Sequence, residues 1–422
     1  MSDILSRLAE RRRYGHRSGI YSVCSAHPLV IEAAVQQALA DQIPLLVEAT
    51  SNQVDQFGGY TGMRPADFIL FVRGIAATAG LHENQIIFGG DHLGPNPWRR
   101  KPAKEAMQLA ADLLTAYAAA GVSKLHLDAS MRCADDPEVL TDEVVAHRAA
   151  ALCAAAEAAA SHSKPVYVIG TEVPVPGGAS ESLSTVEVTR PEAARRTISV
   201  HREAFASAGL HDAWSRVVAV VVQPGVEFDH DRVIDYIPAH AKELSRVLEE
   251  WPQFVFEAHS TDYQRPGVLT TLVHDGFAIL KVGPGLTFAM REALFALAAI
   301  ESELVDPIDQ SQLRAVVEQL MIEQPQHWKD YYHGPLEVQH VLRTYSYSDR
   351  MRYYWNEPSI VAAVEKMLRN LERIDIPESV ISQYLPDQYR AIRQGRLSSK
   401  PKALVIDRIR DALRPYSAAC MT

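Results

Sequence analysis

The sequence predicts a (β/α)8 barrel with a C-terminal helical extension, and three observations lead to this prediction. Eight short runs rich in β-branched residues alternate with longer segments rich in Ala and Leu. Most runs begin almost entirely apolar, as is typical of parallel strands buried on both faces. Eight such units in about 285 residues match the usual size of this barrel. A doubly wound sheet is the main alternative, but it usually carries a glycine-rich fingerprint after its first strand. Here the first run ends in Cys-Ser-Ala-His instead.

Each element can be placed along the chain from this pattern. The predicted strands are 19–25, 44–50, 86–93, 124–130, 166–172, 217–225, 254–260 and 277–284. Helices are expected near 28–41, 65–80, 101–120, 141–160, 191–209, 236–250, 264–275 and 287–303. After residue 305 the strand signal disappears and amphipathic helical segments follow. We therefore expect a barrel over 1–304 and a helical extension over 305–422 that packs on it.

Composition and charge exclude several classes of function. The 52 acidic and 42 basic residues give a net charge of −10 without a basic stripe, which argues against a nucleic-acid-binding protein. No segment reaches the roughly 18–20 apolar residues of a membrane span, and the N-terminus lacks a signal-peptide layout. The four cysteines show no metal-binding spacing and fit reduced thiols. A cytoplasmic protein is predicted. The absence of an ATP-binding glycine-rich loop or Walker motif predicts no nucleotide cofactor and argues against a kinase.

Each predicted strand becomes polar at its carboxyl end, where barrels of this kind place their catalytic groups. In chain order the polar residues are Ser25 and His27, Glu48, Asp91 and His92, Asp128, Glu172, Gln223, Glu257 and His259, and Lys281. Polar side chains on all eight runs are hard to explain by solubility. We expect them to form one site, in which Ser25, His27, Glu48 and Gln223 contact a substrate.

A divalent metal site is predicted within this set. Glu257 and His259 are two residues apart on a strand, so both side chains point to the same face. This spacing suits two ligands of one ion, with a structural hydrogen-bonded pair as the alternative. Asp91 and His92 follow two glycines and add a carboxylate and an imidazole. Carboxylates and imidazoles without thiolates favour Zn, Mn or Mg, and the sequence does not choose among them.

Three residues are candidates for the chemistry itself. Glu172 precedes a rigid Pro- and Gly-rich loop and is a candidate functional carboxylate. Asp128 is a second candidate, although a carboxylate at this position is often only a helix cap. Lys281 could form a Schiff base with a carbonyl sugar, but the many carboxylates make it equally suited to a charge partner or a phosphate contact.

If the substrate carries a phosphate, two places can bind it. One is the loop after the last strand, around Gly283, where backbone N–H groups meet a helix N-terminus. The other is the segment YSYSDRMRYYW, which offers Ser348, Arg350 and Arg352 as donors. The alternative for that segment is a packed aromatic loop whose arginines pair with nearby acids.

Several segments carry a family resemblance over nearly the whole chain. They are SVCSAHPLV (22–30), EATSNQVDQFGGYTGM (48–63), GGDHLGPN (89–96), IGTEVPVPGGA (169–179), VVQPGVEFDH (221–230), FEAHSTDYQ (256–264), LKVGPGLTFA (280–289), YSYSDRMRYYW (345–355) and ISQYLP (381–386). The chain thus resembles the Z subunit of bacterial tagatose-1,6-bisphosphate aldolase, the KbaZ/GatZ type. Asp55 and the YSYSDR segment resemble KbaZ more than GatZ. Gly285 departs from the alanine expected there.

The resemblance implies a barrel and a partner, the catalytic Y subunit (KbaY/GatY type). That subunit is a class II, zinc-dependent aldolase that cleaves tagatose 1,6-bisphosphate to glyceraldehyde 3-phosphate and dihydroxyacetone phosphate. The Z subunit is expected to support its activity and stability in the catabolism of galactitol, N-acetylgalactosamine or related sugars. Some relatives are assigned as metal-dependent 4-epimerases of ketoses or their 6-phosphates, and in such a mechanism Glu172 or Asp128 is the expected base. Two hypotheses therefore stand. The first is an accessory subunit of an aldolase, and the second is an enzyme in its own right, either a metal-dependent epimerase that acts at C4 of tagatose 6-phosphate or a related ketose, or an aldolase-like lyase.

Overall fold

Eight parallel strands close into a barrel in the computed structural model, which describes residues 2–161, 163–171 and 186–421. The barrel strands are β1 (Ile20–Val23), β2 (Leu45–Thr50), β3 (Ile86–Leu93), β4 (Lys124–Leu127), β5 (Val166–Ile169), β6 (Val217–Val221), β9 (Val255–Ala258) and β10 (Ile279–Val282). Each lies inside one of the eight predicted runs, and β1 pairs with both β2 and β10. The predicted (β/α)8 barrel is confirmed.

A short hairpin that the sequence pattern did not predict follows β6. Its strands, β7 (Glu227–Phe228) and β8 (Val233–Ile234), are antiparallel and two residues long. A run this short is below the length at which alternation can be recognised. The hairpin lies beyond the carboxyl end of β6, so it is added on the face of the barrel where the polar strand ends meet.

One helix precedes β1, and further helices alternate with the barrel strands along the chain. They are α1 (Ser2–Arg13), α2 (Pro28–Asp41), α3 (Pro65–Ala79), α4 (Ala103–Ala119), α5 (Asp142–Ala159), α6 (Pro191–Ser207), α7 (His211–Trp214), α8 (Pro238–Glu250), α9 (Pro266–His274) and α10 (Pro284–Leu304). Six of them, including α2, α3 and α10, begin with proline, whose fixed φ and missing N–H suit the first helical position. None of the described helices combines the length and the hydropathy that a membrane-spanning segment requires.

The amino-terminal end of the barrel is closed by an apolar layer. Leu5 and Leu8 of α1 pack against inward-facing strand residues that include Ile20, Leu46 and Ile279. These side chains are at most 6% exposed. Aliphatic residues of this kind are the usual filling of such barrels. The polar residues must therefore lie at the other end.

The C-terminal part of the chain is helical, with α11 (Leu313–Glu323), α12 (Leu336–Tyr345), α13 (Pro358–Glu372), α14 (Glu378–Tyr384), α15 (Pro386–Arg393) and α16 (Pro401–Cys420). Helix α16 packs against α2, α9, α10 and β1, so it lies in the ring of helices around the barrel. Its apolar residues, among them Leu404 and Ile409, belong to the same core as the barrel strands. The division of the chain at residue 304 stays a prediction.

Candidate active site at the carboxyl ends of the strands

Two lysines and two glutamates form a buried ion-pair network inside the barrel. Lys124 Nζ lies 2.8 Å from Glu48 Oε1 and 2.8 Å from Glu257 Oε2, and neither Lys124 nor its partners are exposed to solvent. Lys281 Nζ lies 2.9 Å from Glu48 Oε2 and 3.7 Å from Glu257 Oε1. Ser22 Oγ donates a hydrogen bond of 2.7 Å to Glu48. Each carboxylate is thus shared between two ammonium groups.

A glycine in the strand between them makes the Lys124–Glu48 pair possible. Glu48 on β2 is in register with Gly89 on β3, which is in register with Lys124 on β4. A Cβ at Gly89 would lie 2.6 Å from Glu48 Cγ, closer than real Cβ atoms come. The missing side chain leaves the space through which the two charged groups meet across β3.

Asp91 and His126 form the next layer towards the carboxyl ends. His126 Nδ1 lies 2.9 Å from Asp91 Oδ1, and the same oxygen lies 3.0 Å from Lys281 Nζ. Asp91 also accepts a hydrogen bond from the backbone N–H of His92 at 3.0 Å. Asp91 therefore connects the lysine network below it to the imidazoles above it.

His92 and Asp128 form a carboxylate–imidazole pair beside this layer. His92 Nδ1 lies 2.9 Å from Asp128 Oδ2, and Ser130 donates to the other oxygen of Asp128 through both its N–H and its hydroxyl. His92 has a φ of 48°, an uncommon conformation for a residue with a side chain. It lies where the β3–β4 register shifts, and such irregularities redirect side chains near active sites.

Four side chains are close enough together to hold a metal ion. One ligand atom from each of Asp91, His126, Glu257 and His259 lies within 4.8 Å of the others, and all four residues are buried. Three were predicted as ligands, and His126 takes the place expected for His92. Sequence reasoning missed His126 and Lys124, although Lys124, His126 and Asp128 follow the two-residue spacing that puts side chains on one face of a strand.

The charges of this cluster determine the protonation of its members. Burial alone would raise the pKa of Asp91, but His92, Lys281 and His259 together hold it well below its ordinary value. Burial would lower the pKa of Lys281, and Asp91 and its other anionic neighbours raise it well above the ordinary value instead. Lys281 thus stays an ammonium ion in ion pairs, which favours its interpretation as a charge partner over that of a Schiff-base nucleophile.

The pKa values of His259 and His92 are shifted in opposite directions by their surroundings. Burial lowers the pKa of His259 to about 4, so this ring is neutral and able to coordinate a metal. For His92 burial also acts to lower the pKa, but Asp91 and Asp128 outweigh it and raise the pKa. Asp128 is held as a carboxylate: burial would raise its pKa, but the hydrogen bond and charge of His92, together with His126 and Ser130, outweigh burial and lower the pKa to about 2. His92 is accordingly a stronger base than His259.

A pocket opens above the cluster and encloses about 890 Å³, including space open to solvent. Eight of the predicted site residues line it: Ser25, His27, Asp91, His92, His259, Lys281, Gly283 and Arg352. Residues that sequence reasoning missed also line it, among them Cys24, Tyr60, Asp262, Thr287 and Tyr353. Glu48, Asp128 and Glu257 are buried behind this surface, where they contact lining residues.

The other predicted residues lie elsewhere. Gln223 Oε1 accepts the N–H groups of Gly225 and Val226 and so shapes the turn after β6. Ser348 Oγ bonds to the hydroxyl of Tyr332, while Arg350 stacks on Tyr331 and donates to the carbonyl of His327. None of the three lines the pocket. Glu172 lies outside the described residues.

Comparisons with known proteins place the chain in a family. The model of the D-tagatose-1,6-bisphosphate aldolase subunit GatZ/KbaZ-like family matches residues 5–421. A crystal structure of a probable tagatose 6-phosphate kinase from Sinorhizobium meliloti 1021 is 51% identical, with a TM-score of 0.89, and the match covers 95% of this chain and 100% of that one.

Two aldolase structures match far less well. A putative fructose-1,6-biphosphate aldolase from Coccidioides immitis is 14% identical (TM-score 0.41; 86% of this chain, 93% of that one). The fructose-bisphosphate aldolase of Campylobacter jejuni is 13% identical, with a TM-score of 0.44, and the match covers 88% of this chain and 93% of that one. Scores this low support no argument about the present chain. Because the family model matches nearly the whole chain, the chain belongs to the GatZ/KbaZ-like family of D-tagatose-1,6-bisphosphate aldolase subunits.

Proposed function

We propose that the chain is the accessory Z subunit of a class II tagatose-1,6-bisphosphate aldolase and that it supports the activity and stability of a catalytic Y subunit. The observation that carries this proposal is the family match over residues 5–421. The setting is the degradation of tagatose 6-phosphate derived from galactitol, N-acetylgalactosamine or related sugars, in the cytoplasm.

The test is to mix the purified chain with a Y subunit of the same family. The expected results are co-elution on gel filtration, a higher melting temperature of the Y subunit and faster cleavage of tagatose 1,6-bisphosphate. The variant His259→Asn should support the Y subunit as well as the wild type does, because His259 is buried inside the barrel. No co-elution and no change in the Y subunit's melting temperature would contradict the accessory role.

A second function is favoured by the buried cluster: a metal-dependent epimerase that acts at C4 of tagatose 6-phosphate or a related ketose. Two observations indicate that a divalent metal ion fits the residues of this cluster. His126 Nε2 is buried and has no hydrogen-bond partner among the described residues, although His126 Nδ1 is held by Asp91. A buried nitrogen without a partner is costly unless an unseen group satisfies it.

The second observation is the charge of the cluster. Four carboxylates (Glu48, Asp91, Asp128 and Glu257) and two ammonium groups (Lys124 and Lys281) leave a charge of −2 when the imidazoles are neutral, or −1 when His92 is protonated. A divalent cation held by Asp91, His126, Glu257 and His259 would offset this negative charge. Two imidazoles among four ligands favour Zn or Mn over Mg.

The bound ion would polarise the oxygens of the ketose. The chain's own residues perform the proton transfers. His92, held through Nδ1 by Asp128, takes the proton of the C4 hydroxyl as the C3–C4 bond of the ketose breaks, and returns it when the bond re-forms on the other face. Lys281 lines the pocket and keeps Asp91 ionised. Glu172 remains a candidate for a second base.

The epimerase proposal is tested on the chain alone. With Mn or Zn, tagatose 6-phosphate should be converted to fructose 6-phosphate, and the activity should be lost in His259→Ala, His126→Asn and Glu172→Gln. Metal content measured by mass spectrometry should fall in the two histidine variants only. His201→Gln is the matched control, because His201 is equally buried but lies on α6, outside the cluster. No turnover and no bound metal in the wild type would refute this function.

A further inference from the structure

The first of the two predicted phosphate sites is already filled by the protein itself. The N–H groups of Gly283 and Gly285, at the start of α10, both donate to Asp262 Oδ1, at 2.9 and 2.8 Å. Asp262 is 3% exposed and lines the pocket. Burial raises its pKa to about 6, so the carboxylate is still ionised at neutral pH. A phosphate at this loop would have to replace Asp262 as the acceptor of these N–H groups. It would then lie next to the negative charge of the Asp262 carboxylate.

The second predicted site supplied three donors, and the structure separates them. Ser348 and Arg350 point away from the pocket, whereas Arg352 lines it. Arg352 Nη1 donates to the backbone carbonyls of Ser348 and Asp349, and Nη2 donates to the hydroxyl of Tyr353 at 3.1 Å. These bonds fix the guanidinium in place and use three of its five N–H groups.

No carboxylate of a described residue forms an ion pair with Arg352. Every acceptor in its described hydrogen bonds is neutral, although the more distant charges of Asp349 and Asp262 interact with it. A half-buried cation at the wall of a pocket, held by neutral acceptors, is suited to an anionic ligand. Tyr353, which accepts from Arg352 and also lines the pocket, keeps its own hydroxyl proton available for a ligand oxygen.

We infer that Arg352 binds the anionic end of the substrate, a phosphate monoester on an open-chain ketose, and that Tyr353 assists it. The same pocket is lined by His92, His259 and Lys281, so a ligand anchored at Arg352 extends its reacting carbons towards them. This inference rests on the proposed action on a ketose phosphate, and it names the residue that recognises the phosphate.

Calorimetric titration of the Mn-loaded chain with tagatose 6-phosphate tests the inference without any need for turnover. Charge-assisted hydrogen bonds to phosphate predict that Arg352→Gln weakens binding about 10- to 100-fold. Arg352→Lys keeps the charge but loses the planar fork, so an intermediate loss is expected. Arg314→Gln, an exposed arginine outside the pocket, should bind like the wild type. Unphosphorylated tagatose should bind wild type and Arg352→Gln equally weakly.

The outcomes separate this inference from the proposed catalysis. Binding that depends on Arg352 in a chain without epimerase activity would remove the catalytic proposal and leave the inference standing. Turnover with an unchanged dissociation constant in Arg352→Gln would overturn the inference alone. A wild type that does not bind tagatose 6-phosphate would also overturn it. If the melting temperature of Arg352→Gln is well below that of the wild type, the affinity of Arg352→Lys is used as the test instead. An unchanged affinity in Arg352→Lys would then contradict the inference that Arg352 binds the phosphate.

Discussion

Replacing Lys124 by Met tests how strongly the buried carboxylates Glu48 and Glu257 depend on the ammonium group that they share. Lys124 is fully buried and bridges Glu48 and Glu257, with both ion pairs at 2.8 Å. Met is an unbranched side chain of similar length, so the substitution removes the charge and leaves the volume nearly unchanged. The two carboxylates then remain in the barrel with Lys281 as their shared cation.

The size of the effect follows from this geometry. Removing one partner of a buried ion pair costs about 3–5 kcal/mol, because the remaining charge is buried without compensation. Lys281 still lies 2.9 Å from Glu48 but 3.7 Å from Glu257, so Glu257 loses the closer of its two cations. We expect a loss of about 3 kcal/mol in Lys124→Met. The double variant Lys124→Met/Glu48→Gln should recover about half of it, since one uncompensated charge is removed as well.

The assay is urea unfolding of the isolated chain in the presence of a chelator, so that metal binding does not contribute to the measured stability. Lys164→Met is the matched control. Lys164 forms a 2.6 Å ion pair with Asp212 at the surface, where such pairs contribute about 0–1 kcal/mol. The reasoning fails if Lys124→Met costs no more than Lys164→Met, or if the double variant is less stable than the single one.

Three further predictions concern other parts of the chain. In Gly94→Ala the new Cβ would lie 1.6 Å from the carbonyl oxygen of Asp128, so Asp128 must move. We expect the free energy of unfolding to fall by about 1–3 kcal/mol, and an unchanged melting temperature would refute this. Burial lowers the pKa of His201 to about 4, below its unfolded value of 6.5, so stability should fall by up to about 1.4 kcal/mol per pH unit as the pH decreases through that interval. Unfolding curves of His201→Gln should lack this part of the pH dependence, and an identical pH dependence would contradict the assignment. Deletion of residues 401–422 removes α16 from its contacts with α2, α9 and β1, so the truncated chain should be insoluble or unfolded by circular dichroism; a soluble, cooperatively folded product would show that the helix is dispensable.

The sequence was sufficient to predict the barrel because each strand is buried on both faces and reads as an apolar run. It was also sufficient to place Asp91, Glu257 and His259 together, because polar residues at the ends of parallel strands meet at one end of the barrel. Lys124 and His126 were missed for a geometric reason. They lie at the beginning and middle of β4, and only the three-dimensional register brings Lys124 level with Glu48, across Gly89.

The tail shows a different limit. Amphipathic patterns predicted its helices, but they do not identify the surface that each helix covers, so the position of α16 between α2 and α9 was not predictable. Arg350 and Arg352 are only two residues apart, and both read equally well as phosphate donors. A short 3-10 turn over Arg350–Tyr353 sends Arg350 towards Tyr331 and Arg352 to the pocket, and no residue pattern distinguishes the two directions.

The composition of the barrel interior supports the proposal that the polar layer serves binding or catalysis. At the amino-terminal end, inward-facing Ile20, Leu46 and Ile279 form an apolar layer. One layer further along, the same strands β2 and β10 place Glu48 and Lys281 inside the barrel, at most 5% exposed. Replacing buried ion pairs by packed apolar residues is often neutral or stabilising, so folding alone gives no reason for this change. A purely structural subunit could continue the apolar layer through the whole barrel. The cluster is better explained if this chain binds a cation and a substrate of its own, whether or not it also stabilises a catalytic partner.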